Sequence, residues 1–268
     1  MEAEYTNENW PMPDHPIARI CGAHIRSFPF DAAHSLCKQG VTNHFMAAVF
    51  HEVVYEYVLV PNGTLGEQEQ AVWAKMLRFY KLRRCQERIA IFSRKSFTDP
   101  DKPHQNFPMF YPGNMTKVRV LVRFMAELCK ECNRGSLRDQ HRVAAAECLC
   151  DIYDFIYRSS DHPMQCAWEH MQEVTEAFLA HYAWLSNHAV EQEKLLYHGA
   201  YKFHELFHIA EDAKYLSPRI SLTLTGEDFM GKISTMAGSC AKGVGVTDMA
   251  QAVMQKYIRM LAVRWIDA

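Results

Sequence analysis

Apolar residues between positions 67 and 214 recur at spacings of three and four, and this pattern constrains the fold more than any other feature. Such spacing places apolar side chains on one face of an α-helix, whereas a half-buried strand requires strict alternation. One stretch, 94–114, breaks the pattern with four prolines and a glycine, which are typical of a loop. The sequence therefore predicts that residues 67–214 are almost entirely helical outside that loop.

Helix start and stop signals predict the bounds of the individual elements. A helix capped by Thr42 is expected to run to about residue 59 and to bury Phe45, Val49, Val53 and Val54. Further helices are predicted at about 67–92, 115–132, 137–158, 163–186, 189–214, 227–238 and 247–265. Two short strands are predicted at 24–28 and 220–225, and residues 1–17 are expected to form a loose leader.

Composition limits the classes of function. The chain has 268 residues, 49% of them hydrophobic, which allows one large domain or two small ones. Its net charge of −2 provides no global basic field, so any nucleic-acid binding requires a local patch. Nine cysteines without a signal peptide indicate a reducing, intracellular compartment. No run of about 18 apolar residues is present, so we expect no membrane span.

The run His204-Glu205-Leu206-Phe207-His208 has the spacing of a zinc site. Histidines four apart lie on one helix face, and an adjacent carboxylate can deprotonate a metal-bound water, as in zinc peptidases. Glu227 follows at about the distance of a third ligand. The charged Lys202 and the helix-breaking Pro218 count against this hypothesis. The alternative is a pair of histidines on a polar helix face, hydrogen-bonded to neighbours.

Cysteines form a second potential metal-binding pattern. Cys129 and Cys132 make a C-x-x-C pair, and Cys148 and Cys150 make a C-x-C pair. Four thiolates can close a structural zinc site. Both pairs lie in predicted helices, however, where C-x-C directs its sulfurs about 200° apart. The sequence therefore favours free cysteines that pack as small hydrophobic residues.

Carboxylates far apart in the sequence form a third pattern. Asp31 follows the first predicted strand and precedes His34, and Glu227-Asp228 begins a predicted helix beyond the helical block. Carboxylates brought together in this way hold the Mg²⁺ ions of two-metal phosphoryl transfer. The alternative is an aspartate that caps a helix and an acidic pair at the surface.

A basic cluster interleaved with aromatic residues is the fourth pattern. Its cations are Lys81, Arg83, Arg84, Arg88, Arg94 and Lys95, and its aromatic residues are Phe79, Tyr80 and Phe92. Clustered cations of this kind can follow a phosphate backbone. The alternative is an ordinary solvated helix face.

Two segments together resemble plant- and fungal-type cut-and-paste transposases with a ribonuclease-H-like core. Phe30-Asp31-x-x-His34, followed by Gly40-Val41, resembles their Asp-x-x-His segment. Lys202-x-His204-x-x-x-His208, Pro218-Arg219 and 226–232 (Gly-Glu-Asp-Phe-Met-Gly-Lys) resemble their C-terminal signature. The closing stretch 253–265 is similar to transposon-derived reading frames that are multicopy in protist genomes. The resemblance covers about residues 20–60 and 200–266.

The resemblance implies a mainly α protein. Its partial ribonuclease-H-like core, with one or two short strands, would comprise 18–60 and 200–268, and 61–199 would be an all-helical insertion. By the same resemblance, Asp31 and Glu227 or Asp228 would hold Mg²⁺ or Mn²⁺. No aspartate upstream of Asp31 lies on a predicted strand, so this implies a C-terminal part of a core that is unable to cut DNA alone.

The sequence is therefore consistent with three functions. The first is a transposase-derived, nucleic-acid-associated protein, with DNA as its partner and the nucleus as an expected location. The second is a zinc hydrolase, with His204 and His208 as ligands, Glu205 as general base and Glu227 as third ligand. The third is a domesticated helical interaction module without chemistry. The oligomeric state is left open.

Overall fold

The computed structural model describes residues 29–56, 58–222, 235, 237–240, 248 and 251–258. The chain divides into two compact units, Met1–Ser221 and Leu222–Ala268. The described residues are mainly helical and contain no strand. In the second unit, residues 237–240 and 251–258 are helical. The prediction of a mainly α protein is confirmed.

Seven α-helices and one short 3₁₀ helix make up the described part of the first unit. The α-helices are α1 (Ala32–Cys37), α2 (Val41–Tyr55), α3 (Leu65–Leu82), α4 (Met115–Glu131), α5 (Leu137–Arg158), α6 (Gln165–Glu191) and α7 (Tyr201–Asp212). The 3₁₀ helix, Arg94–Ser96, lies in the proline-rich loop. Of the two predicted strands, 24–28 lies outside the described residues, and in the other Ile220 and Ser221 form a turn.

Helix α2 is the centre of this unit, because it contacts α1, α3, α4 and α7. Every residue from 41 to 54 is buried, as expected for a helix that is apolar around most of its circumference. The predicted inward residues Phe45, Val49, Val53 and Val54 are all fully buried. The N-cap is Gly40 and not the predicted Thr42, so the helix begins two residues earlier than predicted, and it ends at Tyr55, about four residues before the predicted end.

Side-chain caps explain the starts of three other helices. Thr64 Oγ1 accepts a hydrogen bond from the Glu67 backbone N–H at 3.3 Å, and Glu67 Oε2 accepts one from the Thr64 N–H at 2.6 Å. This reciprocal pair satisfies two N–H groups that the first turn of α3 leaves free. Asn114 caps α4 and Ser136 caps α5 through single hydrogen bonds to backbone N–H groups. The predicted starts at 115 and 137 are confirmed.

Helix α3 ends at Leu82, ten residues before the predicted end. Arg84 adopts the left-handed conformation, with φ of 51°. The Cys85 N–H then donates to the Tyr80 carbonyl at 3.0 Å. This hydrogen bond closes the helix in the manner of a Schellman motif, for which glycine is the usual residue. An arginine in that position carries no stop signal, which is why the periodicity alone overextended the helix.

The boundary between α6 and α7 also differs from the prediction. Helix α6 runs to Glu191, through the break predicted after 186, and α7 begins only at Tyr201. The intervening loop turns at Glu193 and Tyr197, which both have φ of 54°. Tyr197 is 1% exposed and donates a hydrogen bond to Glu52 at 2.9 Å. Packing of this tyrosine against α2 therefore sets the loop conformation.

Buried charges connect α2 to α5. Arg142 of α5 donates to Glu52 of α2 at 2.9 Å and to Asp139 at 2.5 Å. These three side chains are 1%, 2% and 6% exposed. Within the described ranges, no helix combines the length and the apolar character that crossing a membrane requires.

Candidate functional site

Asp31 is the N-cap of α1. Its Oδ1 accepts a hydrogen bond from the Ala33 N–H at 2.9 Å, and its Oδ2 pairs with His34 Nδ1. This is the capping role that the sequence left open beside the metal-binding role. Glu227 and Asp228, the other two carboxylates of the predicted catalytic site, lie outside the described residues. Their approach to Asp31 stays a prediction.

The two segments that carry the transposase resemblance meet where α1 contacts α7. The Phe30 ring stacks on His208, with the ring centroids 5.8 Å apart and the planes 17° from parallel. Ser35 Oγ donates to Glu205 Oε2 at 2.5 Å. The Asp-x-x-His segment and the Lys-x-His-x-x-x-His segment are therefore neighbours in the fold, although about 170 residues separate them in the sequence.

His204 and His208 face each other along α7. Their Nε2 atoms are 3.0 Å apart, and His208 Nδ1 pairs with Glu211 Oε2 at 2.9 Å. Two nitrogens bound to one tetrahedral zinc lie about 3.3 Å apart, which is close to this separation. A carboxylate on the other ring nitrogen is the usual support of a metal-binding histidine. The same 3.0 Å separation is that of a hydrogen bond between the two rings, so the geometry matches both the hydrogen-bonded histidine pair and the two-nitrogen chelate that the sequence left open.

No third ligand joins this chelate in the part of the chain that the structure describes. Within those ranges, no group of three or more His, Cys, Asp or Glu side chains is placed to hold a metal ion. The predicted third zinc ligand, Glu227, lies outside them.

Glu205 is directed into the contact between α1 and α7. It is 8% exposed, and its carboxylate accepts hydrogen bonds from Lys202 Nζ at 2.9 Å and 3.2 Å in addition to the one from Ser35. A general base needs a carboxylate that reaches the metal-bound water. This geometry favours a structural role for Glu205 over the role of a general base.

Chelation by His204 and His208 is directly testable. We expect the full chain to bind Zn²⁺ or Ni²⁺, and we expect His204→Asn or His208→Asn to weaken binding at least tenfold, because one imidazole alone is a poor ligand set. Glu205→Gln should leave the affinity unchanged. Calorimetric titration with Zn²⁺ at pH 7.5 measures the affinity of the wild type and of the three variants. Equal affinity of the wild type and both histidine variants would exclude this site.

Most residues of the predicted basic cluster are exposed, but Arg94 is hydrogen-bonded to another side chain. Arg83, Arg84, Arg88 and Lys95 are exposed at the end of α3 and in the loop that follows. Arg94 is instead half-buried, and its backbone N–H and Nε donate to Glu69 Oε2 at 2.9 Å and 3.3 Å. Lys81 is exposed as well, so five of the six cations of the cluster are accessible, and Arg94 anchors the loop to α3.

Arg83 also lines a cavity of about 290 Å³ between α3, α4 and α5. Three further arginines line it: Arg119, Arg123 and Arg158. Asp154 is the only carboxylate among its described lining residues. The cations that the sequence placed in one segment therefore continue onto two other helices.

The arginines of α4 and α5 were missed because they are scattered in the sequence. Arg119 and Arg123 are four residues apart, a spacing that places both on one face of α4. That periodicity is a signal for a basic stripe on α4. It does not show that Arg158, at the end of α5, lies beside the same stripe.

The cysteine prediction is confirmed for the C-x-x-C pair. Cys129 and Cys132 are free and buried, and Cys148 and Cys150 are free and partly buried. Burial raises the pKa of Cys132 to about 11 and raises that of Cys129 further. Both directions reflect the apolar surroundings of cysteines that pack as small hydrophobic residues.

Comparisons with protein-family models, curated proteins and solved structures found no match for this chain.

Proposed function

We propose that the chain is a helical nucleic-acid-binding protein, derived from the transposases that it resembles, and that it binds DNA without cutting it. The observation that carries this proposal is the continuity of cations across three helices: Arg83 of the basic cluster lines the same cavity as Arg119, Arg123 and Arg158. Phosphate contacts supply most of the affinity of non-specific DNA binding. A surface with converging arginines is suited to that role.

The proposal of binding without cutting rests on Asp31. Two-metal phosphoryl transfer needs carboxylates that are available to Mg²⁺ or Mn²⁺. Both carboxylate oxygens of Asp31 have partners within α1, from Ala33 and His34. We therefore infer that Asp31 acts as a helix cap and that association with DNA is the property of this chain.

Salt dependence tests the proposed function. A triple variant, Arg84→Asn, Arg88→Ser and Lys95→Ser, removes three exposed cations outside the cavity. Asparagine is chosen at position 84 because it tolerates the left-handed conformation. Each lost phosphate contact should lower the slope of log affinity against log salt by about 0.9, so we expect a decrease of up to about 2.7. Fluorescence anisotropy with a labelled DNA duplex measures it.

The matched control changes the net charge equally. It replaces three exposed lysines that lie elsewhere, Lys38, Lys194 and Lys214, with serine. We expect this control to retain most of the wild-type affinity and slope. If both triple variants bind equally, the patch is not where we place it, and if the wild type shows no salt-dependent binding, the proposed function is wrong.

A second candidate function, metal chelation by α7, is favoured by the facing imidazoles of His204 and His208 and by the support of Glu211. It is compatible with the first, because the histidines and the basic cluster lie on different elements. The zinc titration described above separates it from DNA binding.

A further inference from the structure

The cavity between α3, α4 and α5 has a chemistry that differs from an exposed basic face. Its lining combines guanidinium groups with aromatic and aliphatic residues, which include Phe79, Val120, Val122 and Tyr157. Phe79 and Val122 are 5% and 1% exposed, so the apolar wall that they form belongs to the core. Pockets of this kind, largely apolar with a few converging polar groups, are typical of small-molecule sites.

Charges in the cavity favour an anion. Four arginines face one lining carboxylate, Asp154. Asp154 pairs with Arg123 at 2.5 Å and with Arg158 at 3.8 Å, and Arg83 pairs with Glu127 at 2.7 Å. Even with Glu127 counted, the arginines exceed the carboxylates by two. All of these pairs are partly exposed, so they exchange partners readily with a bound anion.

Arg119 is the residue best placed to hold that anion. Its guanidinium lies 4.4 Å from the centroid of the Tyr157 ring, a cation–π contact that restrains the side chain. Among the described residues, no carboxylate forms a salt bridge with it. The Arg119 guanidinium is planar, is restrained by the Tyr157 ring and is not neutralised by a carboxylate. It is therefore suited to bidentate binding of phosphate.

We propose that this cavity binds the phosphate of a nucleotide, either free or at the end of a nucleic-acid strand. The volume of about 290 Å³ lies at the small end of ligand pockets and is suited to one nucleotide, not to a polymer passing through. The apolar wall accommodates the base, and the arginines accommodate the phosphate. The inference rests on the proposed function, because it names the group that the basic surface would recognise beyond the backbone.

Terminal phosphorylation tests the inference. We expect the full chain to bind a DNA duplex with 5′-phosphate ends at least tenfold more tightly than the same duplex with 5′-hydroxyl ends. Arg119→Met should reduce that ratio to less than twofold. Arg119→Lys should also lose most of it, because lysine keeps the charge but not the planar fork. Arg78→Met, outside both the cavity and the basic cluster, should keep the ratio. Far-ultraviolet circular dichroism verifies that each variant is folded.

Each outcome separates the two proposals. Salt-dependent binding of both duplexes with equal affinity would overturn the cavity inference and leave the proposed function standing. Binding of adenosine monophosphate that Arg119→Met abolishes, without binding of either duplex, would support the cavity as a free-nucleotide site and overturn DNA association. Binding of inorganic phosphate as tightly as the nucleotide would contradict a role for the apolar wall. Binding of none of these ligands would overturn both proposals.

Discussion

Replacing Arg142 with methionine is expected to lower the free energy of unfolding by about 3–5 kcal/mol, because it removes the buried cation that contacts both Glu52 and Asp139 and leaves Glu52 with only Arg138, at 3.9 Å, as a cationic partner among the described residues. Arg142 is 1% exposed and donates to both Glu52 and Asp139. A loss of this size is a large part of the total stability of a typical domain, about 5–15 kcal/mol. Urea unfolding followed by tryptophan fluorescence measures it.

A surface pair provides the matched control for this substitution. Arg123 forms a 2.5 Å salt bridge with Asp154 but is 49% exposed. Arg123→Met should therefore change the stability by less than about 1 kcal/mol. In the double variant Glu52→Leu/Arg142→Met, part of the loss should be recovered, because apolar residues replace a buried ion pair at little net cost. Equal effects of Arg142→Met and Arg123→Met would show that the buried network contributes no more than a surface pair.

Acidification from pH 6.5 to pH 4 is expected to destabilise the fold through two histidines of α2. His44 and His51 are each 5% exposed. The pKa of each is lowered to about 4, chiefly by burial. The neighbouring His198 contributes to the shift of His44, and the Pro103 carbonyl partly offsets the shift of His51. In the unfolded chain the histidine pKa is about 6.5, so between pH 6.5 and pH 4 the unfolded chain binds more protons than the folded chain does.

The direction and the size of the change in stability follow from this difference in pKa between the folded and the unfolded chain. Above pH 6.5 both states hold neutral histidines, so the stability is fully present there. As the pH falls towards 4, only the unfolded state becomes charged, and each histidine lowers the free energy of unfolding by about 2 kcal/mol at pH 5 and by about 3 kcal/mol at pH 4. The double variant His44→Gln/His51→Gln should flatten this dependence, whatever its stability at neutral pH.

The exposed His162 supplies the control for the pH series. His162→Gln should reproduce the wild-type pH dependence, because it leaves the two buried histidines of α2 in place. Urea unfolding at half-unit steps between pH 7.5 and pH 4.5 measures all three proteins. A wild-type stability that changes by less than about 1 kcal/mol between pH 7 and pH 5 would contradict the prediction.

Local chemistry made several features predictable from the sequence. The mainly α class follows from the apolar spacing, and the starts of α4 and α5 follow from Asn114 and Ser136, whose caps act within three residues. The burial of Phe45, Val49, Val53 and Val54 also followed from helical periodicity. In each case the decisive interaction joins residues close in sequence, so the sequence alone carries the signal.

Only the tertiary structure decided the end of α3, the course of the loop between α6 and α7, and the environment of the chemical residues. Arg84 takes a left-handed conformation without a glycine, and Tyr197 turns the chain because its hydroxyl reaches Glu52. Glu205 turns inward because Ser35, on another helix, donates to it. Arg119 and Arg158 share a cavity because α4 packs on α5. The end of α3 is closed by a hydrogen bond between residues five apart, from Cys85 to Tyr80, but without the glycine that would have signalled it. The other outcomes depend on contacts between residues far apart in the chain, and a local pattern holds no information about such contacts.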